Sequence, residues 1–467
     1  MTEGLGLGDA YGATLGRIKA QGGEKARLGM AALMWISHAE RPLKADELCH
    51  ALAVEIGSPN LNADNVPSIG TLLACCQGLV VVEKKSSTVR LIHFTLLEYL
   101  RAHPHLFGTA HSTIAEICLG YLNSRQVKAF STTPSPDLKD TPFLEYSSLY
   151  WGVHAKGHLS DCAKQLALML FDDYNRHISI KILLIAQQMY LHPNDFDEPS
   201  HFSGLHCASF FGIVEVVASL VETESYDINQ MGFRGYTSLH WAAARGHEGA
   251  VKILLGRGDV SPDEPNNYGE TPLFMAARNG HEGAVKTLLG RDDVDPNKAN
   301  RQGLTPFLLA ACFGHAGVVK ILLARNSINP DKDSSLGAPL YNAALHGHEG
   351  VVKILLGRDD INPNKHNDGE TPLYVAARGG HEGVVKILLE RADVTPDISR
   401  NDGITPLHIS ATNGLVGVVK LLLKRDDVNP NNLDKDGKTP LDRATEGGHQ
   451  GVIALLQPRE PATPSLS

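Results

Sequence analysis

Thr271-Pro272-Leu273-Phe274-Met275-Ala276-Ala277-Arg278-Asn279-Gly280-His281-Glu282-Gly283-Ala284-Val285-Lys286-Thr287-Leu288-Leu289 reads as two short helices joined by a tight turn. Thr271 is a good N-cap, because its hydroxyl accepts from an orphan N–H of the first turn. Pro272 follows at N1, where its missing donor costs nothing. Leu273, Ala276 and Ala277 recur at helical spacing, and the alanines let neighbouring helices approach closely. Gly280 is placed to end the first helix in a left-handed conformation. Val285, Leu288 and Leu289 form the buried stripe of the second helix. Just upstream, Asn266 to Gly269 reads as a projecting hairpin, with Gly269 making the turn.

The phrase recurs at intervals of 33 or 34 residues. Its seven copies begin at Thr237, Thr271, Thr305, Ala338, Thr371, Thr405 and Thr439, and Ser203-Gly204-Leu205-His206 is a weaker eighth. A fixed period of this size signals a solenoid, whose units bury their apolar faces only against neighbours. The period and the Thr-Pro-Leu-His core resemble the ankyrin repeat over residues 201–457. That resemblance implies a mainly α fold, a stack of about eight helix-turn-helix repeats with β-hairpin tips. In ankyrin proteins the tips and inner-helix ends select a protein partner.

In register, those positions are Phe233, Arg234, Tyr236, Trp241 and Arg245, then Asn267, Tyr268, Glu270, Met275 and Arg278. Farther along come Arg301, Gln302, Phe313, Asp368, Glu370 and Arg378. Aromatics and arginines dominate interface energetics, so the anchor is expected around Phe233, Tyr236, Trp241, Arg245, Tyr268 and Phe313. Tyr236 and Tyr268, at tips, are expected to be exposed, whereas Phe210 and Phe211 are expected to pack against the segment before the repeats. The copy at Ala338 lacks its capping threonine, which makes it the expected weak point of the array.

Two patterns imitate chemistry. Gly-His-Glu-Gly recurs from Gly246, Gly280, Gly347 and Gly380, but no copy carries a second ligand at the His-Glu-x-x-His position, so a local hydrogen bond explains the histidine better than a metal does. Gly437-Lys438-Thr439 mimics the end of a P-loop, yet Asn432 stands where the leading glycine belongs and no strand feeds it. No cofactor, metal or catalytic set is expected, and the chain does not read as an enzyme.

The 467 residues bear a net charge of −9, which opposes a broad phosphate-binding surface. Seven cysteines, odd in number and without a Cys-x-x-Cys pair, read as reduced thiols. No run approaches the ~18 apolar residues of a membrane span, and no leader opens the sequence. The expected setting is cytoplasmic, with the nucleus open.

Residues 17–109 have another texture. Leu28, Ala31, Ala32, Trp35 and Ile36 outline an amphipathic helix, and Asp46 to Val54 another. Leu79–Glu83 and Thr88–Ile92 flank Lys84-Lys85-Ser86-Ser87 as a hairpin, after which Thr95-Leu96-Leu97-Glu98 reads as a capping box. Helices followed by a wing describe a winged-helix domain. The helix over 46–54, taken as the recognition helix, carries Asp46 and Glu47 with Glu55 beside them, against Lys44 alone, so protein packing is favoured over DNA binding.

Arg41-Pro42-Leu43 through Glu55, Cys76-Gln77-Gly78-Leu79-Val80, and Val89 to Thr95 running on to Glu98-Tyr99-Leu100 resemble the segment that follows the NTPase in fungal NACHT–ankyrin proteins. The resemblance spans about residues 5–160. It implies the arrangement of NLR-type receptors, in which an NTPase switch precedes a winged helix, a helical linker and sensing repeats. The NTPase is missing here, so the sequence is either the carboxy-terminal part of a longer protein or a truncated product.

Ile114, Ile117, Cys118, Tyr121 and Leu122 have helical spacing, as do Leu166 and Leu168 to Phe171, and Tyr146 to His154 resembles the helix before the repeats in the same family. The expected organisation is a segment 1–16, the winged helix 17–109, an α-helical connector 110–200, the repeats 201–457 and a disordered tail 458–467. The leading reading is a non-catalytic protein-binding module, the sensor part of a fungal NACHT-type signalling protein. A free-standing adaptor recruiting a client protein is one alternative, and a winged-helix regulator on DNA is another.

Overall fold

The computed structural model describes residues 7–130, 141–157, 159–172, 174–186, 202–223 and 226–457. The tail 458–467 and residues 131–140, rich in Pro, Ser and Thr, lie outside them. The chain divides into two units, residues 1–238 with 256–260 and residues 239–255 with 261–467.

The first unit begins with α1 (Leu7–Ala20), α2 (Gly23–His38), α3 (Ala45–Leu52), α4 (Ile69–Cys75), β1 (Val80–Val82), β2 (Val89–Leu91) and α5 (Phe94–Ala102). β1 and β2 pair antiparallel with Val81 opposite Arg90, and Lys44 bridges Thr88 as a further rung, so the expected wing is present. Apolar periodicity builds the core: Leu28, Ala32, Leu33 and Trp35 of α2 meet Leu48, Ala51 and Leu52 of α3 in the buried interior.

Three local expectations need correction. The helix directly before the wing is α4, not the helix over 46–54, because Ser68 caps a further apolar turn by accepting from Thr71 N–H. Its sequence, Ile-Gly-Thr-Leu-Leu-Ala-Cys, has no charged residue. Glu47 is not a surface acid either. It is 2% exposed, takes a bidentate pair from Arg41 at 2.7 and 2.8 Å, and accepts from Lys44 N–H. Finally, α5 starts one residue before Thr95, with the His93 ring accepting from Thr95 N–H, while the Thr95 hydroxyl bonds Tyr11 at 2.7 Å.

The connector is α6 (Ala110–Leu122), α7 (Arg125–Lys128), α8 (Leu144–His154), α9 (Asp161–Phe171) and α10 (Ile178–Ala186). Trp35 lies edge-on to Phe143 and Tyr146, at 5.5 and 5.8 Å between centroids, which locks the winged helix to α8. The first repeat, Gly204–Phe211 and Val214–Glu222, packs on the same connector. As expected, Phe210 and Phe211 are buried, and the Phe211 ring stands 5.4 Å from that of Trp151. Gly152 has no room for a Cβ against the Phe211 ring, so glycine there permits the contact.

The second unit begins within the helix Ser238–Ala244 and continues with Glu248–Leu255 and six helix pairs, from Pro272–Arg278 with Glu282–Leu289 to Pro440–Glu446 with Gln450–Leu456. Thr271, Thr305, Thr371, Thr405 and Thr439 cap their inner helices through bonds of 3.1 to 3.3 Å from the N–H three residues on. Ala276, Ala277, Ala310, Ala311, Ala343 and Ala344 are wholly buried, which sets the close approach of adjacent inner helices. The tips differ from the expected β-hairpins: among the described repeat residues the only β pairing is the isolated bridge Asn367–Glu370. Elsewhere an Asx turn replaces the ladder, as where Asn266 Oδ1 accepts from the N–H groups of Tyr268 and Glu270.

Candidate functional site

The second unit is held in register by side chains that reach back one repeat. His281 Nε2 bonds the Ala244 carbonyl at 3.0 Å, and His315, His348, His381 and His449 repeat the contact to Arg278, Cys312, Leu345 and Thr412. Gly246, Gly280, Gly314, Gly347 and Gly414 are left-handed, and each faces the imidazole of the next repeat, as Gly246 does against His281. The last glycine makes room for the preceding repeat's glutamate: a Cβ on Gly283 would strike the Glu248 carboxylate, and one on Gly383 the Glu349 carboxylate. Gly-His-Glu-Gly is thus an interlock, and the partner of its histidine lies a repeat away rather than nearby in the chain.

Arginines that the sequence reading passed over do similar work on the outer helices. Arg291 Nη1 donates to the Leu255 carbonyl at 3.0 Å while its other nitrogens grip Asp293. Arg391 with Asp393, and Arg425 with Asp427, repeat this on Leu356 and Leu389. Each guanidinium caps orphan carbonyls at the end of the preceding outer helix.

The expected binding residues separate by register. The fourth residue after the cap is packed between inner helices, so Trp241 (3% exposed) and Met275 (7%) are buried, as are Leu309, Asn342 and Val375. From the second repeat onward the eighth residue is exposed, and Arg245 and Phe313 lie on that row with Asn279, His346 and Asn413. At the tips, Tyr268 is 45% exposed as expected. Tyr236, at 8%, is not: its carbonyl accepts from Gly232 N–H and the tip folds over it. Asn267, Arg278, Arg301, Gln302 and Asp368 are exposed, and Phe233 and Arg234 half-buried. Phe233, Arg234 and Tyr236 belong to the first unit and the others to the second.

Glu270 and Glu370 are engaged by the array itself. Glu270 takes Asn266 Nδ2 at 3.0 Å and Arg278 at 3.7 Å. Glu370 gathers Arg378 at 2.5 Å, Arg400 at 3.5 Å and the Tyr341 hydroxyl at 3.3 Å, tying three repeats together. Arg234 and Asp368 are non-glycine residues in the left-handed region, with φ of 56° and 49°, conformations that concentrate at functional sites.

Within the second unit, Phe313 and Leu336 flank a depression of about 700 Å³ whose floor includes Leu309, Cys312, Tyr341 and Leu345. Phe313 is 51% and Leu336 43% exposed, an apolar pair left open at the rim of the depression. All seven cysteines are free thiols, six of them buried, and burial pushes the Cys312 thiol up to about 11. Cys312 is therefore an apolar wall at neutral pH.

Comparison with known families agrees with this geometry. Matches to "Ankyrin repeats (3 copies)" overlap along the chain at residues 149–266, 205–300, 258–334, 285–367, 307–399 and 394–463. The chain belongs to the ankyrin-repeat family. Residues 17–114 match a second family, "GPI inositol-deacylase, winged helix domain". No curated protein matches the chain. Among solved structures, the human ASB11 ankyrin repeat domain is 24% identical, with 56% of this chain and 100% of that chain covered and a TM-score of 0.39. No helix among the described residues is long and apolar enough to cross a membrane.

The ankyrin register explains what the sequence reading missed. Leu336, Tyr341, Asn342, Leu345 and His346 all come from the copy that lacks its threonine. The available signal was that irregularity together with the apolar Leu336 at a tip otherwise rich in Ser, Asp and Lys.

Proposed function

We propose that this chain is a non-catalytic protein-binding module whose ankyrin array engages a partner at the Phe313–Leu336 depression. Exposed Tyr268, Arg278, Arg301 and Gln302 would extend the contact toward the amino-terminal side. The observation that carries the reading is the open apolar pair Phe313 and Leu336 over a buried apolar floor. An aromatic anchor beside a desolvated pocket is the arrangement in which a few residues supply most of the binding energy. A photo-crosslinking residue in place of Phe313 should give a discrete adduct that Leu336→Asp abolishes, while the same residue in place of Lys286 should give none. Equal labelling from both positions would refute the site.

The finer reading is that the array is the sensor part of a fungal NACHT-type signalling protein, with an NTPase joined upstream. The likeness over residues 5–160 and the winged-helix match at 17–114 support it. An immunoblot of the endogenous protein with an antibody to the repeats should show a band far larger than a 467-residue chain. A band at the size of these 467 residues would favour a free-standing adaptor.

A further inference from the structure

Glu40, His111 and His154 are far apart in sequence, yet one ligand atom from each falls within 4.8 Å of the other two. Glu40 lies just past α2, His111 in the first turn of α6 and His154 at the last residue of α8. His111 Nδ1 stands 2.7 Å from His154 Nδ1. The two nitrogens thus face each other beside the Glu40 carboxylate, and a cation would take the place of the proton between them.

We propose that Glu40, His111 and His154 bind one divalent cation of the zinc class, clasping the winged helix to the connector. Two imidazole nitrogens and one carboxylate oxygen are a donor set suited to zinc and its first-row neighbours. Bonds of about 2.0–2.2 Å hold tetrahedral ligands roughly 3.4 Å apart, so the two nitrogens must part by under an ångström and the carboxylate must swing inward. Glu40 and His111 are exposed and free to turn about their own side-chain bonds, whereas His154 is buried. The buried ligand is also the oriented one. Its Nε2 stands 2.9 Å from the Tyr146 hydroxyl, whose oxygen accepts from the backbone N–H of Glu40 at 3.1 Å. An outer partner of this kind fixes the tautomer of a ligating histidine and sets its ring plane. His38 lies edge-on to His111 at 5.4 Å, with its Nδ1 engaged by the Met34 carbonyl and the Ser37 hydroxyl, and is not one of the three residues whose ligand atoms converge. A water would complete the tetrahedral set.

The test uses the full chain after chelator treatment, titrated with Co²⁺ and followed by its visible d–d absorption. The expected result is saturation at one equivalent, displacement by Zn²⁺, and affinity at least tenfold weaker in His111→Gln and in Glu40→Gln. Both replace exposed side chains, so folding is retained, and His366→Gln, at an exposed histidine elsewhere, should leave the titration unchanged. Absence of a saturable band, or equal affinity in His111→Gln and the unaltered chain, would overturn the proposal.

Discussion

Gly246 lies flat against the imidazole of His281, so close that a Cβ on the glycine would come within 2.5 Å of Nδ1. The glycine also holds φ at 72°, and the histidine bonds the Ala244 carbonyl two residues upstream of it. Backbone shape in one repeat and side-chain position in the next are therefore one feature.

Gly246→Ala should consequently cost more than a left-handed alanine alone. Gly437 has a similar φ of 71° with no atom near its missing Cβ, so Gly437→Ala isolates the backbone part, about 1 kcal/mol. Gly246→Ala should add a further ~1–3 kcal/mol from overpacking against the ring. Denaturant melts of both variants, with and without His281→Ala, measure the difference. The extra cost should vanish in the His281→Ala background.

Ala338 opens its inner helix with no side-chain cap, and Asn342 Nδ2 instead reaches back to the Leu336 and Ala338 carbonyls at 3.0 and 3.1 Å. Those bonds brace the tip but leave the first-turn N–H groups without the acceptor that threonine supplies elsewhere. Ala338→Thr should stabilise the chain by about 1 kcal/mol. Hydrogen exchange in the helix Pro339–Leu345 should slow toward that of Pro372–Gly379; faster exchange would contradict the assignment.

Arg391 donates to two carbonyls, Leu356 at 2.7 Å and Arg358 at 3.0 Å, besides its grip on Asp393. Removing it strands acceptors at the end of a packed helix, so Arg391→Ala should cost about 1–2 kcal/mol. Asp393 is half-exposed, and Asp393→Asn should cost under about 1 kcal/mol. Thermal melts that rank the two variants the other way would reassign the stabilisation to the ion pair.

Burial holds the imidazoles of His281 and His348 below the usual histidine value of 6.5, against the opposing pull of their carbonyl bonds. A depressed folded pKa means that the unfolded chain binds the proton first. The stability these groups contribute is complete above about pH 6.5 and is lost as the pH falls toward the folded pKa values. Denaturation midpoints should be lower at pH 5.5 than at 7.5, and His281→Asn should narrow the gap. Identical midpoints in the unaltered chain would count against this.

Much of the fold was legible because its signals are local. The period, the Thr-Pro caps, the turn glycines and the wing's two strands each depend on residues a few positions apart. The same locality explains the errors at the site. Tyr236 stands one residue before its cap, in register with buried Glu270, whereas Tyr268 stands three before, in register with half-buried Arg234; both lie at tips, and only the way the tip folds makes the first position covered and leaves Tyr268 open. Trp241 and Met275 stand at helical positions that periodicity cannot tell from groove-facing ones.

The sequence by itself determined the repeat, its length, the capping chemistry and the winged-helix-then-solenoid order, since one-dimensional spacing encodes them. Tertiary structure alone decided that Gly-His-Glu-Gly is an interlock, that Phe313 and Leu336 frame the open depression, and that Glu40, His111 and His154 converge. Those facts join residues from 23 to more than 100 positions apart, and such distances are set by how helices pack, which no local pattern specifies.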